Sequence, residues 1–515
     1  MKTTMILVSI IVYMAVVLWI GFRCSKRNKS SDDFYLGGRK LGPFVTAMSA
    51  EASDMSSWLL MGLPGVALRT GLAGTTTGFA EAVWTALGLA VGTYFNWLLV
   101  AKRIRRYSEK VGANTFPDFL SNRFGDKKGI LCAIAAVIII VFFVPYTGSG
   151  FAAVGKLFNS LFGVDYHAAL IIGAAIIAVY TVLGGFLAAS TTDLIQSIVM
   201  TFALFVVICF GVENAGGLST IADHVRSVPG YFNLMGTDGT SYGFIPIVST
   251  MAWGLGYFGM PHILLRFMAI EDDNKLKLSR RIASAWVVIS MGIAILIGVI
   301  GYTYAANQGL IVNGVAAEGF DAERIVVYMA DGIAGLDTFA AIIAGLILAG
   351  ILASTMSTAD SQLLAAASSV SENIVHRFFF KNMSEKAQMW VARCAVLLIS
   401  AVGIILAWDS DSSVFRIVSF AWAGFGATFG AVVLCALFWK RTNLWGALAG
   451  MVSGAGMVFV WKFLIRPLGG GWDIYELLPA FILSAVCTVV FSLITAAPEK
   501  ELTDTFDEVK ASMKA

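Results

Sequence analysis

Two acidic residues lie inside an apolar stretch, residues 49–65, that reads SAEASDMSSWLLMGLPG and is part of a segment long enough to cross a bilayer. An ionisable side chain within a bilayer costs at least about 2.5 kcal/mol, so Glu51 and Asp54 should face a cavity or a partner. The serines and alanines around them allow close backbone approach, and the hydroxyls compete with helical hydrogen bonds. We therefore predict that this helix unwinds near Asp54, where free carbonyls could bind a cation.

A second segment, residues 251–267, reads MAWGLGYFGMPHILLRF and combines three glycines with Pro261. Proline removes a backbone donor and glycine lowers the cost of leaving helical geometry, so this helix should also break. Trp253 and Tyr257 would line the break, and Arg266 would end the segment. Two interrupted apolar segments at matching positions indicate the binding site of a secondary transporter.

A third segment, residues 349–364, reads AGILASTMSTADSQLL and carries hydroxyls one helical turn apart beside Asp360. Oxygen ligands suit a hard cation such as sodium, although hydroxyls in apolar helices also bond back to carbonyls of the preceding turn. Asp193, within STTDLIQS, is a fourth ionisable group at the start of an apolar helix. There it could serve an ion site or simply stabilise the helix terminus.

The elements that must position these residues are membrane-spanning helices. The 515 residues are 58% hydrophobic and 13% charged, with a mean hydropathy of +0.79, which indicates an integral membrane protein. Segments of roughly 20 apolar residues predict an all-α protein with thirteen spans. They lie near 5–22, 44–66, 78–99, 130–151, 168–187, 191–212, 243–266, 282–305, 338–370, 389–408, 415–438, 445–464 and 474–495.

Lys and Arg concentrate in the loops after the odd-numbered segments, which predicts an external N-terminus and a cytoplasmic C-terminus in the cell inner (plasma) membrane. No loop is long enough for a soluble enzyme domain, so we expect a protein that is not an enzyme. No basic patch with interleaved aromatics suggests nucleic-acid binding. The six cysteines lie in or beside spans without a CxxC pair and predict neither disulfides nor a metal centre.

With these residues in view, the chain resembles the sodium/solute symporter family, and within it most closely the bacterial proline symporters. The resemblance covers nearly the whole length, through LGGRKLGPFVTAMSAEASDMSSWLLMGLPG, WGLGYFGMPHILLRFMA, MSTADSQLL, FAWAGFGATFGAVVL and GALAGMVSG. It implies a leucine-transporter-like core of two inverted five-helix repeats, helices 2–6 and 7–11. The expected units are 1–42 (extra helix and cytoplasmic loop), 43–212 and 243–438 (the repeats), 439–495 (two peripheral helices) and 496–515 (cytoplasmic tail).

The resemblance also implies roles for single residues. Sodium would be held by carbonyls of Ala52, Met55 and Ser354 and by hydroxyls of Ser357 and Thr358. Proline would contact Trp253, Tyr257 and Pro261, with Ser57 added as a further substrate-site residue. Coupling, or a second ion site, would involve Asp54, Ser56, Asp193, Asp360 and Ser361.

The expected function is therefore sodium-coupled import of L-proline by a single chain in the lipid bilayer, with sodium between helices 2 and 9 and proline between helices 2 and 7. Asp193 and Asp360 could instead share a second sodium ion or a proton. Ser57, Glu51 and Met260 depart from the pattern of the enterobacterial proline symporters. Another amino acid or pantothenate therefore stays open as the solute, and a channel or substrate sensor is a more distant alternative.

Overall fold

A computed structural model of the chain describes residues 2–25, 31–72, 75, 77–237 and 240–513. The helices of the first half are α1 (Lys2–Ser25), α2 (Ser31–Leu36), α3 (Pro43–Asp54), α4 (Leu63–Leu68), α5 (Gly78–Phe95), α6 (Ala101–Lys110), α7 (Phe116–Arg123), α8 (Ile130–Phe162), α9 (Tyr166–Asn214) and α10 (Gly217–Ser227). Those of the second half are α11 (Phe244–Met251), α12 (Pro261–Ala269), α13 (Leu276–Asn307), α14 (Ile325–Ala334), α15 (Thr338–Ser368), α16 (Glu385–Leu406), α17 (Val414–Phe425), α18 (Ala431–Phe438), α19 (Leu444–Val460), α20 (Leu477–Ile494) and α21 (Lys500–Ser512).

Two antiparallel hairpins of two-residue strands lie in the long loops. They are β1 (Gly236–Thr237) with β2 (Thr240–Ser241), and β3 (Ile311–Val312) with β4 (Val315–Ala316). Because the rest of the described chain is dominated by helices, any site in the interior must be built from helices and from the interruptions within them.

Both predicted helix interruptions are present. The first apolar segment stops at Asp54, and Met55 takes a non-helical conformation (φ −75°, ψ 69°) before a π-helical turn, Trp58–Gly62, leads into α4. The second runs from α11 into eight residues of 3₁₀-helix, Ala252–Gly259, which we call the 3₁₀ strip. Met260 is extended, and Pro261 begins α12 because its missing N–H is harmless in a first helical turn.

Ten helices of the described residues are long and apolar enough to cross a membrane. One of them, Tyr166–Asn214, holds both the fifth and the sixth predicted segments and changes direction at Gly185, whose φ of 67° favours glycine. The number thirteen itself, the boundaries of the two repeats and the orientation of the termini stay predictions.

A glycine seam joins α5 to the 3₁₀ strip. A Cβ atom at Gly254 would lie 2.2 Å from the Gly88 carbonyl oxygen, and one at Gly92 would lie 2.3 Å from the Gly254 carbonyl oxygen. Only glycine allows two backbones to approach so closely, as is common between helices in membranes. The seam holds the 3₁₀ strip against α5, and α15 packs against α9, α8 and α3.

Candidate functional site

The break after α3 releases two backbone carbonyls. In a continuous helix, the Ser56 amide would donate to the Ala52 carbonyl, but it donates to the Asp54 carbonyl instead (2.8 Å). Likewise the Leu59 amide, the helical partner of the Met55 carbonyl, donates to the Ser56 carbonyl (3.0 Å). The predicted carbonyl ligands Ala52 and Met55 therefore both lack their helical partners, as an unwound segment requires if it is to bind a cation.

Hydroxyls of α15 converge on one of these carbonyls. Ser357 Oγ lies 2.8 Å from the Ala52 carbonyl oxygen and 3.2 Å from the Ser354 carbonyl oxygen, and Thr358 Oγ1 lies 3.4 Å from the Ala52 carbonyl oxygen. All four residues are buried. We call Ala52, Ser354, Ser357 and Thr358 the neutral cluster; its oxygens are the ligand type that suits sodium.

Asp54 connects the break in α3 to the 3₁₀ strip. The Tyr257 hydroxyl donates to Asp54 Oδ2 (2.5 Å), and Trp58 Nε1 donates to the Asp54 carbonyl (3.1 Å). Asp54 is fully buried, and its Oδ1 has no hydrogen-bond partner among the described residues. The carboxylate predicted for coupling therefore contacts a residue predicted for the substrate site.

A second group, which we call the charged cluster, lies one helical turn further along α15. The Arg266 guanidinium lies 3.2 Å from Asp193 Oδ2 and donates to the Ser361 hydroxyl, which is 3.1 Å from Asp360 Oδ1. Arg266 is 1% and Asp193 0% exposed. Ser49 completes the group, because its hydroxyl donates to Asp193 Oδ2 (2.6 Å). The three residues predicted as a second ion site, Asp193, Asp360 and Ser361, thus lie together, with the cation of Arg266 among them.

Trp253, in the 3₁₀ strip, belongs to a layer of packed aromatic rings. Its ring stacks on Tyr475 (centroids 5.3 Å apart) and lies 5.2 Å from the Phe415 ring and 6.3 Å from the Trp58 ring. Its carbonyl accepts a hydrogen bond from Trp422 Nε1 (2.7 Å). Trp253 also lines a cavity of about 660 Å³, which we call the outer cavity because its lining residues lie at the predicted extracellular ends of the helices.

Glu51 forms a contact that the sequence did not predict. Its Oε1 accepts hydrogen bonds from Thr93 Oγ1 (3.0 Å) and Trp97 Nε1 (2.9 Å), so it ties α3 to the helix that begins with α5. Asn96, in the same helix, donates to the Tyr257 carbonyl (3.0 Å). Asn96 could have been recognised from the sequence, because it is a polar amide within an apolar span.

The remaining predicted residues surround the two breaks. Ser56 Oγ accepts a hydrogen bond from the Trp58 amide (3.4 Å), and the Ser57 hydroxyl is buried without a partner among the described residues. Pro261 is buried at the first turn of α12. Both predicted substrate-site residues of the 3₁₀ strip are buried as well, but only Trp253 lines the outer cavity.

Comparison with known proteins gives consistent results. A family model described as the sodium:solute symporter family matches residues 34–454. The high-affinity proline transporter PutP of Bacillus subtilis is 42% identical over 499 residues, covering 96% of this chain and all of that protein. The sodium/proline symporter of Escherichia coli is 40% identical over 513 residues, covering 99% of this chain and 97% of that protein.

Solved structures share the fold at low sequence identity. A Na⁺-coupled sialic acid symporter in a substrate-bound, outward-open state matches with a TM-score of 0.77 and 17% identity over 96% of this chain and 99% of that one. MhsT in complex with L-phenylalanine matches with a TM-score of 0.54 and 11% identity over 88% of this chain and 97% of that one. The predicted fold class, an all-α membrane protein with a leucine-transporter-like core, is confirmed.

Proposed function

The chain belongs to the sodium:solute symporter family, and we propose that it imports L-proline together with sodium across the plasma membrane by alternating access. It is a multi-pass transporter and not an enzyme, and sodium is its coupled ion rather than a resident cofactor. Relatives that are 40–42% identical over nearly their whole length carry names of proline transporters, which supports proline as the solute. A single chain is the proposed functional unit.

The convergence of Ser357 and Thr358 on the Ala52 carbonyl is the observation that carries the proposal. Hydroxyl groups can rotate, so the two protons that point at this carbonyl can turn away and leave three oxygens facing an ion. The carbonyls of Ser354 and Met55 complete the proposed ligand set. Sodium would thereby hold α15 against the unwound end of α3.

Coupling requires that sodium bind the conformation that can bind the solute more tightly than the conformation that cannot. An ion with equal affinity for both conformations would not drive uptake of the solute. The Tyr257–Asp54 hydrogen bond supplies a route, because ordering the end of α3 also orders the 3₁₀ strip. Proline would bind between this strip and α3, near Trp253, Tyr257, Pro261 and Ser57. The membrane potential adds about 2.3 kcal/mol per 100 mV for each charge that crosses fully.

A second candidate concerns the coupled ion. The charged cluster holds two carboxylates and one guanidinium, so a formal charge of −1 is left over. A proton or a second sodium ion would neutralise it, which favours a two-ion or proton-sensitive variant of the same symport. Another compact amino acid or pantothenate is the alternative solute, to be separated by competition.

The test is uptake of labelled L-proline into proteoliposomes under imposed sodium or proton gradients. We expect accumulation that follows the sodium gradient, and for Ser357→Ala about a tenfold rise in the sodium concentration for half-maximal uptake, because one ion ligand is lost. The matched control is Ser368→Ala on the same helix, because the Ser368 hydroxyl donates only within α15, to the Ala365 carbonyl (2.9 Å).

Uptake that is independent of the imposed sodium gradient would refute the proposed coupling. Equal sodium requirements in Ser357→Ala and Ser368→Ala would refute the ligand assignment alone. Exchange of internal labelled solute for external unlabelled solute is expected of a carrier, whereas a channel would not accelerate it.

A further inference from the structure

A cavity of about 510 Å³ opens between two chain segments on the side of the membrane that we predict to be cytoplasmic. One segment, residues 127–128, comes just before α8. The other, residues 372–381, extends from the π-helical continuation of α15 into the loop before α16. The two segments touch, because a Cβ atom at Gly129 would lie 2.9 Å from the Phe378 ring. We call the space between residues 127–128 and 372–381 the basic cavity.

Two of the four basic side chains that line the basic cavity have acidic partners in the protein. Lys127 Nζ lies 2.7 Å from Glu499 Oε1, and Arg377 Nη1 lies 3.8 Å from Asp118 Oδ1. Arg377 is also held by a neutral oxygen, since its Nη2 donates to the Ser121 hydroxyl (2.9 Å). These two cations are therefore fixed in place and already paired.

The other two basic side chains, Lys128 and Lys381, are exposed. Within the ranges that the structure describes, their ammonium groups form no ion pair and no hydrogen bond. The remaining acid of the lining, Glu372, is paired with His376 one turn later on the same helix (Oε2 to Nδ1, 3.4 Å). Four cations against three carboxylates, with His376 neutral, leave one net positive charge among the described residues.

Apolar side chains are exposed next to these charges. Phe379 and Phe380, which follow Phe378 of the lining, are 69% and 61% exposed. The helices α8 and α16 pack against each other, and both begin beside the basic cavity. Their outward faces carry the exposed apolar residues Val137, Val141, Leu397 and Leu398. Apolar surface therefore leads from the rim of the basic cavity along both helices.

Charge and position together decide which ligand fits. A soluble anion would contact Lys128 and Lys381 but would leave the phenylalanine rings exposed. A zwitterionic phospholipid would bring its own cation close to the two lysines, which would repel it. An anionic glycerophospholipid fits both features, because its phosphodiester carries one negative charge and its acyl chains are apolar. Basic pockets between membrane-spanning helices on the cytoplasmic side are suited to such headgroups.

We propose that the basic cavity is a binding site for one anionic glycerophospholipid of the cytoplasmic leaflet. The phosphodiester bridges Lys128 and Lys381, the glycerol backbone lies at Phe379 and Phe380, and the acyl chains follow α8 and α16. The bound lipid joins the start of α8 to the chain that continues α15, the helix of the neutral cluster. None of the residues proposed to bind sodium or proline takes part, so this lipid is a partner in addition to the solute and the ion.

The test is native mass spectrometry of the full-length protein in detergent, titrated with phosphatidylglycerol or with phosphatidylcholine of the same acyl chains. We expect the first phosphatidylglycerol to bind about tenfold more tightly than phosphatidylcholine, because two lysines contact a headgroup that carries no cation. Inorganic phosphate and glycerophosphoglycerol, which is the same headgroup without acyl chains, should not displace it. Equal affinities for the two lipids, or displacement by either soluble phosphate, would overturn the lipid site.

Variants make the assignment specific to residues. Lys128→Gln and Lys381→Gln should each raise the dissociation constant for phosphatidylglycerol about fivefold, and the double variant should raise it about thirtyfold. Because both lysines are exposed, neither substitution disturbs the packing of the helices. The matched control combines Lys277→Gln with Lys500→Gln, which removes the same charge from two exposed lysines outside the basic cavity.

The control pair should leave the dissociation constant for phosphatidylglycerol within about twofold of the wild-type value. If the control pair weakens binding as much as the cavity pair does, overall surface charge attracts the lipid and the proposed site is refuted. An unchanged dissociation constant in the cavity pair would refute it as well.

Discussion

The neutral cluster and the charged cluster lie one helical turn apart on α15, yet they handle charge in opposite ways. In the neutral cluster, hydroxyls of Ser357 and Thr358 meet the Ala52 carbonyl, and no side chain carries a formal charge. In the charged cluster, Arg266 already lies between Asp193 and Ser361. The Ser361 hydroxyl, 2.9 Å from the Ser357 carbonyl oxygen, connects the two.

The difference teaches where an exchangeable ion can bind. Hydroxyls and carbonyls can bind sodium and then form hydrogen bonds with each other again when sodium leaves. The sodium-free state of the neutral cluster therefore contains no unpaired buried charge. Buried carboxylates keep their charge when an ion leaves, and an unpaired buried charge is costly. The tethered guanidinium of Arg266 cannot leave, so we expect it to hold α12 to α15 and α9 throughout, and a second sodium ion or a proton could act only on the one negative charge that Arg266 leaves unpaired.

The largest expected effect comes from removing that tethered cation. Arg266→Gln leaves Asp193 and Asp360 buried without their cation, which should lower the free energy of unfolding by about 3–5 kcal/mol and abolish uptake. Thermal unfolding in detergent and proline uptake measure this, with Arg281→Gln, a substitution of an exposed arginine, as the control. A stable, active Arg266→Gln protein would show that the charged cluster is not structural.

Tyr257→Phe probes the link between the neutral cluster and the 3₁₀ strip. Asp54 would lose the hydrogen bond from the Tyr257 hydroxyl, a charge-assisted bond worth about 1.5–3 kcal/mol. We expect the sodium concentration for half-maximal uptake to rise about tenfold or more. The control is Tyr304→Phe, which removes a hydroxyl that donates to the Tyr328 carbonyl (3.2 Å); identical sodium curves for both variants would break the proposed link.

Thr358 allows an isosteric test of the neutral cluster. Thr358→Val keeps the shape and removes the hydroxyl, so we expect the half-maximal sodium concentration to rise about tenfold. Thr358→Ser keeps the oxygen and should stay within about twofold of the wild-type value. Equal effects of the two substitutions would mean that packing at Thr358, and not its oxygen, determines sodium binding.

Glu51→Gln should have the smallest effect of the four. The side-chain oxygen still accepts from Thr93 and Trp97, so we expect a loss of less than about 1.5 kcal/mol in unfolding free energy and no shift of the sodium curve. Sodium titration of uptake checks this. A marked shift would mean that the charge of Glu51 belongs functionally to the neutral cluster.

Much of the fold and part of the site could be predicted from the sequence, because hydropathy, Pro261 and the polar residues around Asp54 act locally. The hydroxyls of Ser357 and Thr358 are spaced along one helix, so their shared direction was also readable. The contact of Arg266 with Asp193 was not, because it joins residues 73 positions apart through tertiary packing. Counting buried charges of each sign would have suggested such a pair.

The same limit explains the missed residues around Glu51. Thr93 and Trp97 look like ordinary members of an apolar span, and only the packing of α3 against that span gives them Glu51 as a partner. Asn96 differs as a polar amide, but its partner, the Tyr257 carbonyl, is likewise set by tertiary packing. Trp253 shows the converse case. Its position in a broken helix was predicted, but its exposure to the outer cavity depends on Tyr475 and Phe415, which come from distant parts of the chain.

The glycine seam between α5 and the 3₁₀ strip limits which substitutions descendants of this protein can accept. Every other residue type at Gly88, Gly92 or Gly254 would push a carbon atom into a backbone carbonyl 2.2–2.4 Å away, so these positions are closed to gradual mutational drift. Changes in solute preference must then arise by exchanging side chains on a backbone that keeps its path. Side chains near the solute can therefore vary between descendants, whereas the three glycines of the seam must be kept.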